Sequence, residues 1–180
     1  MVGQRKPVNV YAEVVSLADP SPATLSSVAL GPASFSHTNG LQVWLLGADE
    51  LKALRARLKQ TPETEPSFRP RMSTADGIEC QMFQGQSIAL GGSTNQVGLT
   101  LGCCARVHPD HTDLTACIAL SELVTNDAAG LGGSAPLISI QTNLDTALRL
   151  QIPKGRGVFL FDQSARESGR KSIGVIIDPL

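Results

Sequence analysis

The stretch Val97-Gly98-Leu99-Thr100-Leu101-Gly102-Cys103-Cys104-Ala105-Arg106-Val107 decides how this chain is read. Val97, Leu99, Leu101, Cys103, Ala105 and Val107 alternate with Gly98, Thr100, Gly102, Cys104, Arg106 and His108. Successive side chains on a strand point to opposite faces, so strict alternation marks a strand with one buried face. Pro109-Asp110-His111 then turns the chain. Leu114, Ala116, Ile118 and Leu120 repeat the pattern against Thr115, Cys117, Ala119 and Ser121. The expectation is two long antiparallel strands joined by a tight turn.

Strand patterns continue on both sides of this pair. Asn126 to Ala135 is a Gly- and Ala-rich loop, and Ile138 to Ile152 is another long strand with a bend expected near Asn143. Pro153-Lys154-Gly155-Arg156-Gly157 turns into Val158 to Phe161. Asp162 to Lys171 is a polar loop, and Ser172 to Asp178 closes the chain with Ile173, Val175 and Ile177 on one face. Upstream, Ala75-Asp76-Gly77 separates Arg71–Thr74 from Ile78–Phe83, and Asp-Gly between two such runs predicts a hairpin. Gly91-Gly92-Ser93-Thr94-Asn95 is a second turn. Near the start, Val8, Val10, Ala12 and Val14 share one face of a strand while Asn9, Tyr11 and Glu13 share the other. Residues 19–40, rich in Pro, Ser, Gly and Ala, read as a loop or a weak edge hairpin. Leu41 to Leu46 is a short apolar strand carrying Trp44.

Between Asp49 and Lys59 the period changes. Leu51, Leu54 and Leu58 fall at i, i+3 and i+7 among mostly charged neighbours, with Asp49 and Glu50 at the start and Arg57 and Lys59 at the end. That arrangement suits an amphipathic helix and its dipole. Its leucine stripe is expected to pack on a sheet, and Thr61-Pro62, Pro66 and Pro70 stop it. The fold class is therefore α+β and predominantly β: antiparallel strands in hairpins or a meander, with one amphipathic helix packed on the sheet. Residues 1–180 read as a single domain, with strands and helix over 8–60 and an antiparallel strand region over 70–180.

Composition narrows the function classes. The chain of 180 residues is long enough to bury a core without metals or disulfides. Aromatic residues make up 4% against 42% hydrophobic, so the core rests on Val, Leu, Ile and Ala. Fifteen basic and sixteen acidic residues leave a net charge of −1 without the basic concentration a nucleic-acid partner requires. No stretch reaches the ~18 apolar residues of a membrane helix, and no apolar run follows Arg5 and Lys6 to make a signal peptide. The chain is thus expected to be either cytosolic or a piece of a longer exported protein.

The residues that carry chemistry elsewhere form no catalytic constellation here. Cys80, Cys103, Cys104 and Cys117 lack the spacing of a zinc knuckle or a redox pair and read as small hydrophobic residues. A disulfide from Cys103 or Cys104 to Cys117 is left open. His108 and His111 share a turn with Asp110 and Asp113; two histidines and two aspartates suit a metal or acid–base work, yet a hairpin tip is expected to be solvated. His37 lies elsewhere. No serine sits in a Gly-x-Ser-x-Gly elbow, and Gly91-Gly92-Ser93 lacks the rest of a phosphate loop. The expectation is no catalytic residue, no cofactor, no metal and no small-molecule substrate.

From Pro70 onward the chain resembles a known family, the secretins. Pro70-Arg71-Met72-Ser73-Thr74-Ala75-Asp76-Gly77, followed by Phe83-Gln84-Gly85-Gln86, is similar to the secretin Pro-Arg strand, turn and strand ending near Gly-Gln. Val97-Gly98-Leu99-Thr100-Leu101 and then Ala105-Arg106-Val107-His108-Pro109-Asp110 resemble the family's Val-Gly-x-x-Leu strand and Pro-Arg-Val-x-x-Asp turn. Thr142-Asn143 to Gly155 looks like the strand before its Asp-Gly turn, and Ile173 to Pro179 like its closing strand. Val8 to Val15 and the helix Leu51 to Leu58 match the upstream part, so the resemblance covers almost the whole chain. Its motif residues are Pro70, Arg71, Gly77, Gly85, Val97, Gly98, Leu101, Arg106, Pro109, Asp110, Gly155 and Pro179.

The sequence also departs from the family. Ala105 stands where secretins usually have Pro, and Val158 to Phe161 replaces a strand that usually ends in Gly-Gly. Asp162 to Lys171 is shorter and more polar than the segment that forms the membrane lip. The resemblance implies a β-domain that assembles as a homo-oligomer through strand edges, alongside other secretion-system proteins and a membrane. It also implies a place in the cell outer membrane or periplasm as part of an exported protein, with the cytoplasm as the alternative. The role implied is a structural or channel component of protein secretion or pilus export, and the alternative is a soluble scaffold without a pore.

Overall fold

The structure, a computed structural model, describes residues 6–17, 30, 33–36, 40–60, 64–126, 137–162 and 172–179. Among the described residues, alternating apolar positions become eleven strands in two antiparallel sheets, and the leucine stripe becomes one helix. The first sheet holds β1 (Pro7–Leu17), β2 (Phe35–Ser36), β3 (Leu41–Gly47), β4 (Thr64–Phe68), β5 (Arg71–Ala75), β10 (Arg156–Asp162) and β11 (Ser172–Pro179), in the order β2-β3-β10-β11-β1-β4, with β5 also paired to β1. The second holds β6 (Glu79–Leu90), β7 (Ser93–Val107), β8 (His111–Asn126) and β9 (Leu137–Pro153) in sequence order. The helix α1 spans Ala48–Gln60.

The seven-stranded sheet is covered on both faces. Val8, Val10, Ala12, Val14, Val158, Leu160, Val175 and Ile177 point toward the second sheet and pack with Leu99, Leu101, Ala105, Leu114, Ile118, Leu148 and Ile152. On the other face, Val15, Trp44, Leu46, Phe159, Phe161 and Ile176 pack with Leu51, Leu54 and Leu58 of α1. This is why Val158 to Phe161 reads as a continuous apolar run: a strand buried on both faces loses its alternation. The leucine stripe thus packs as its spacing predicts. Glu13, at the middle of β1, receives Arg55 of α1 at 3.4 Å and Arg69 at 3.2 Å, and Arg55 also reaches Asp178 at 3.6 Å.

A local expectation in β9 is met. The bend near Asn143 is a bulge: Leu120 pairs with Leu144 but Ser121 with Thr142, so Asn143 is the extra residue. It points inward, 1% exposed, and its amide oxygen finds no partner among the described residues.

Other expectations change. The Asp76-Gly77 turn does not close a hairpin. β5 pairs with β1 in the first sheet and β6 with β7 in the second, so the turn is a corner where the chain changes sheets. β4, which the prolines of its segment hid, pairs with the C-terminal half of β1 through a bulge at Val14/Val15. Val107, expected on the buried face, is 47% exposed because the strand runs past the core. The loop expected at Asn126 to Ala135, the polar segment after Asp162 and most of residues 19–40 lie largely outside the described residues, although Phe35–Ser36 forms β2 on β3.

Leu54, 1% exposed, lies at the centre of the helix contact. Leu54→Ala should lower unfolding free energy by about 2–5 kcal/mol, while Lys52→Ala on the exposed face should stay within about 0.5 kcal/mol. Urea denaturation followed by circular dichroism measures both.

Candidate functional site

The four-stranded sheet is the candidate site, because among the described residues its two long edges and one whole face are open. Its inner rows pack on the first sheet. Its outer rows carry Gln81, Gly102, Cys117 and Ala147 at one level and Glu79, Cys104, Thr115 and Arg149 at the next, in register across four strands. Glu79, Arg106, Asp145 and Arg149 are exposed on this face, so it is polar with small residues at its middle. β6 is the edge on one side over 12 residues and β9 on the other over 17.

One end of the sheet is stitched together by turns. Gly77 N–H donates to the Ala105 carbonyl at 2.8 Å, and Val107 N–H donates to Asp76 Oδ1 at 2.8 Å. Lys154 N–H donates to the Asp110 carbonyl at 2.8 Å, which ties the β9–β10 corner to the β7–β8 turn. Five motif residues, Gly77, Arg106, Pro109, Asp110 and Gly155, gather here. Around them, His108 Nε2 lies 3.1 Å from Asp113 Oδ2, and His111 Nε2 lies 3.6 Å from Asp113 Oδ1. His111 Nδ1 meets Asp110 Oδ1 at 2.7 Å, a bond that holds the Asp110 carboxyl below its usual range. The turn that reads as solvated therefore brings two imidazoles and two carboxylates together. His37 lies outside the described residues.

The other end forks. Pairing of β7 with β8 stops at Leu99 and Leu120, whereas β6–β7 runs on to Leu90 and Ser93, and β8–β9 to Asn126 and Leu137. Two hairpins leave the sheet separately. At the fork the Ser121 hydroxyl accepts from Gly98 N–H and donates to the Gln96 carbonyl, both at 3.4 Å. A cleft of about 460 Å³ opens there, bordered by Phe68, Gly85, Val97, Gly98, Leu120 and Leu123. Gly85 and Gly98 face each other across the ladder. A Cβ on Gly98 would sit 2.6 Å from the Gly85 Cα, and Gly98 holds φ +141°. The hairpin can bend at this point because neither strand carries a side chain there.

The remaining motif residues brace the sheets. Pro70 is buried and its carbonyl accepts from Ala12 N–H at 3.1 Å. The Arg71 guanidinium lies over the Tyr11 ring at 5.2 Å, Leu101 is in the core, and Pro179 pairs with Val10.

The cysteines distribute differently from either open disulfide pairing. Cys103 points inward and Cys104 outward, as adjacent strand residues must, and all four are free. Cys103 lies instead opposite Cys80, with Sγ atoms 3.4 Å apart. Burial, with the adjacent Cys80 thiol, pushes the Cys103 thiol up to about 12. Sequence spacing missed this pair because cross-strand register, which no local motif encodes, creates it.

No protein-family model and no curated protein matches the sequence. Solved structures do resemble it over nearly its full length. It is similar to Aeromonas hydrophila ExeD (13% identity, 97% of this chain, 48% of that chain, TM-score 0.42). It is similar to the Klebsiella pneumoniae type II secretion system outer membrane complex of PulD, PulS and the PulC HR domain (12%, 98% and 40%, TM-score 0.48). It is also similar to the secretin XcpQ of Pseudomonas aeruginosa (12%, 98% and 59%, TM-score 0.45). The chain spans about half the length of these proteins, from 40% to 59%.

Two outcomes test this geometry. Gly98→Ala should cost about 2–4 kcal/mol, from backbone strain plus overpacking against Gly85, read by urea denaturation. At neutral pH a maleimide should label the exposed Cys117 first and Cys103 last, since a thiol held far above neutral pH supplies almost no thiolate; peptide mass spectrometry at timed intervals gives the order.

Proposed function

We propose that this chain is a secretin-like β-domain that acts as a homo-oligomeric structural component of a protein-secretion or pilus export complex, with copies joined edge to edge around a channel. The observation that carries the reading is the four-stranded sheet with both long edges unpaired among the described residues. Unpaired strand edges of this length present rows of free N–H and C=O groups that pair with another chain. The strand count adds a geometric reason. Four antiparallel strands start and end in opposite directions, so β9 of one copy lies antiparallel to β6 of the next when all copies point the same way. Such a head-to-tail contact closes into a ring if its rotation closes, and a closed ring leaves no edge.

The order and spacing of the motif residues support the same reading, since they fall on the stitched end, the fork and the braces rather than in one pocket. The role is structural, with no small-molecule substrate, no cofactor and no nucleic acid. The compartment proposed is the outer membrane or periplasm, as part of an exported protein, and the partners are neighbouring copies and other secretion-system proteins.

A second reading has its own observation. A barrel wall in lipid needs an outward apolar band, and Arg in that band costs about 2–4 kcal/mol at the bilayer midplane. The open face of the sheet carries Glu79, Asp145 and Arg149, which suits a wet lumen or a neighbouring module. A soluble ring or scaffold without a pore accommodates this face as it stands.

Light scattering and electron microscopy of the purified chain should show ring particles many times the 18.9 kDa chain mass. A stable monomer at high concentration, with and without detergent, sinks the assembly reading. Rings that form in plain buffer and pass no current in planar bilayers select the scaffold over the channel.

A further inference from the structure

We infer that the β7–β8 turn is a site for a divalent transition-metal ion of the zinc class, held by His108 Nε2, His111 Nε2 and the Asp113 carboxylate, with Asp110 orienting His111. The three ligand atoms lie within 4.8 Å of one another. The two imidazole rings stack, with centroids 4.4 Å apart and planes 18° apart, which sets both Nε2 atoms beside the same carboxylate. Each Nε2 faces a different oxygen of Asp113.

The convergence of ligand atoms is what points to a cation. His111 Nδ1 and Asp110 Oδ1 are 2.7 Å apart, so that contact occupies Nδ1 and leaves Nε2 to ligate. Nε2 stands 3.6 Å from Asp113 Oδ1, beyond good hydrogen-bond distance. A carboxylate that takes Nδ1–H while Nε2 points at a common focus is the arrangement that fixes ligating histidines in metal sites. His108 completes the set once its proton rests on Nδ1.

Ligands of a tetrahedral zinc with bonds of about 2.0–2.1 Å stand about 3.4 Å apart, so only a small side-chain rotation closes the present spread. The side chains are free to make it: His111 is 21% exposed, His108 36% and Asp113 48%. His108 and His111 border a cavity of about 560 Å³ together with Lys6, Asp76 and Lys154, which leaves room for water as a further ligand. The two lysines oppose a cation and temper its affinity. Bound metal would lock the one turn that joins the two central strands of the open sheet.

The test is zinc uptake by the intact chain, with cobalt as a spectroscopic probe. One Zn²⁺ per chain is expected, and His108→Gln or His111→Gln should weaken it by at least roughly tenfold. Asp110→Ala should weaken it about tenfold while Asp110→Asn, whose amide oxygen still accepts Nδ1–H, restores most of the loss. The Co²⁺ form should lack a thiolate charge-transfer band, and zinc should shift the NMR signals of His108 and His111 but not of His37. Circular dichroism shows that each variant is folded. No uptake, uptake unchanged in the His108→Gln/His111→Gln double variant, or a thiolate band assigning the ion to the cysteines would overturn the inference.

Discussion

The structure depends on one dry interface, the aliphatic layer between the two sheets. Its fully buried members are Val, Leu, Ile, Ala, Met and Cys, without an aromatic ring among them. Branched aliphatic side chains standing at alternate positions interdigitate between two pleated surfaces at about 10 Å spacing. The packing leaves little freedom: a one-residue slip of β7 or β8 would turn Leu99, Leu101, Leu114 and Ile118 to solvent and bring Thr, Cys and Arg inward. Register in the open sheet is therefore set by the partner sheet, not by its own edges. That is why the fold does not need the edges, which are unpaired among the described residues.

Three aromatic side chains, Trp44, Phe159 and Phe161, are buried on the opposite face. Trp44 stacks toward Phe159 at 5.5 Å, and Phe159 toward Phe161 at 6.4 Å, under the leucines of α1. The rings fill the space between the sheet and the leucine stripe of the helix. The result is a rigid seven-stranded plate, covered twice, from which the four-stranded sheet is presented. Because the helix and the open sheet occupy opposite faces, one can be loaded by a neighbour without disturbing the other.

What sequence could and could not reveal follows from range. Period two and period 3.6 are local, so β1, β7, β8, β9 and α1 were legible residue by residue. The bulge at Asn143 was legible as a bend because a long strand had to break its alternation there. The Asp76-Gly77 turn was misread for a physical reason: turn chemistry fixes the local reversal, while which sheet receives the next strand is decided by distant packing. β4 was hidden because Pro66 argues against a strand, yet an edge strand tolerates it. The Cys80–Cys103 contact and the convergence of His108, His111 and Asp113 are matters of register and side-chain direction. The histidine spacing was visible, but a tip expected to be solvated gave no reason to bring the rings together.

The two ends of the open sheet differ in kind, and this bears on how such a domain would work. At the corner end, three hydrogen bonds of 2.8 Å, two between backbone groups and one from the Val107 N–H to the Asp76 carboxylate, join turns that belong to both sheets. At the fork, a single hydroxyl at 3.4 Å holds the hairpins where their ladder ends, and the facing glycines remove the side chains that would stiffen the bend. Local stability follows the density of such contacts. Contact density is therefore lowest at Gly85, Gly98 and Ser121, while the corner end keeps the strands in register. Ring assembly through the edges, as proposed, would load the register-bearing part of the sheet and leave the fork unloaded.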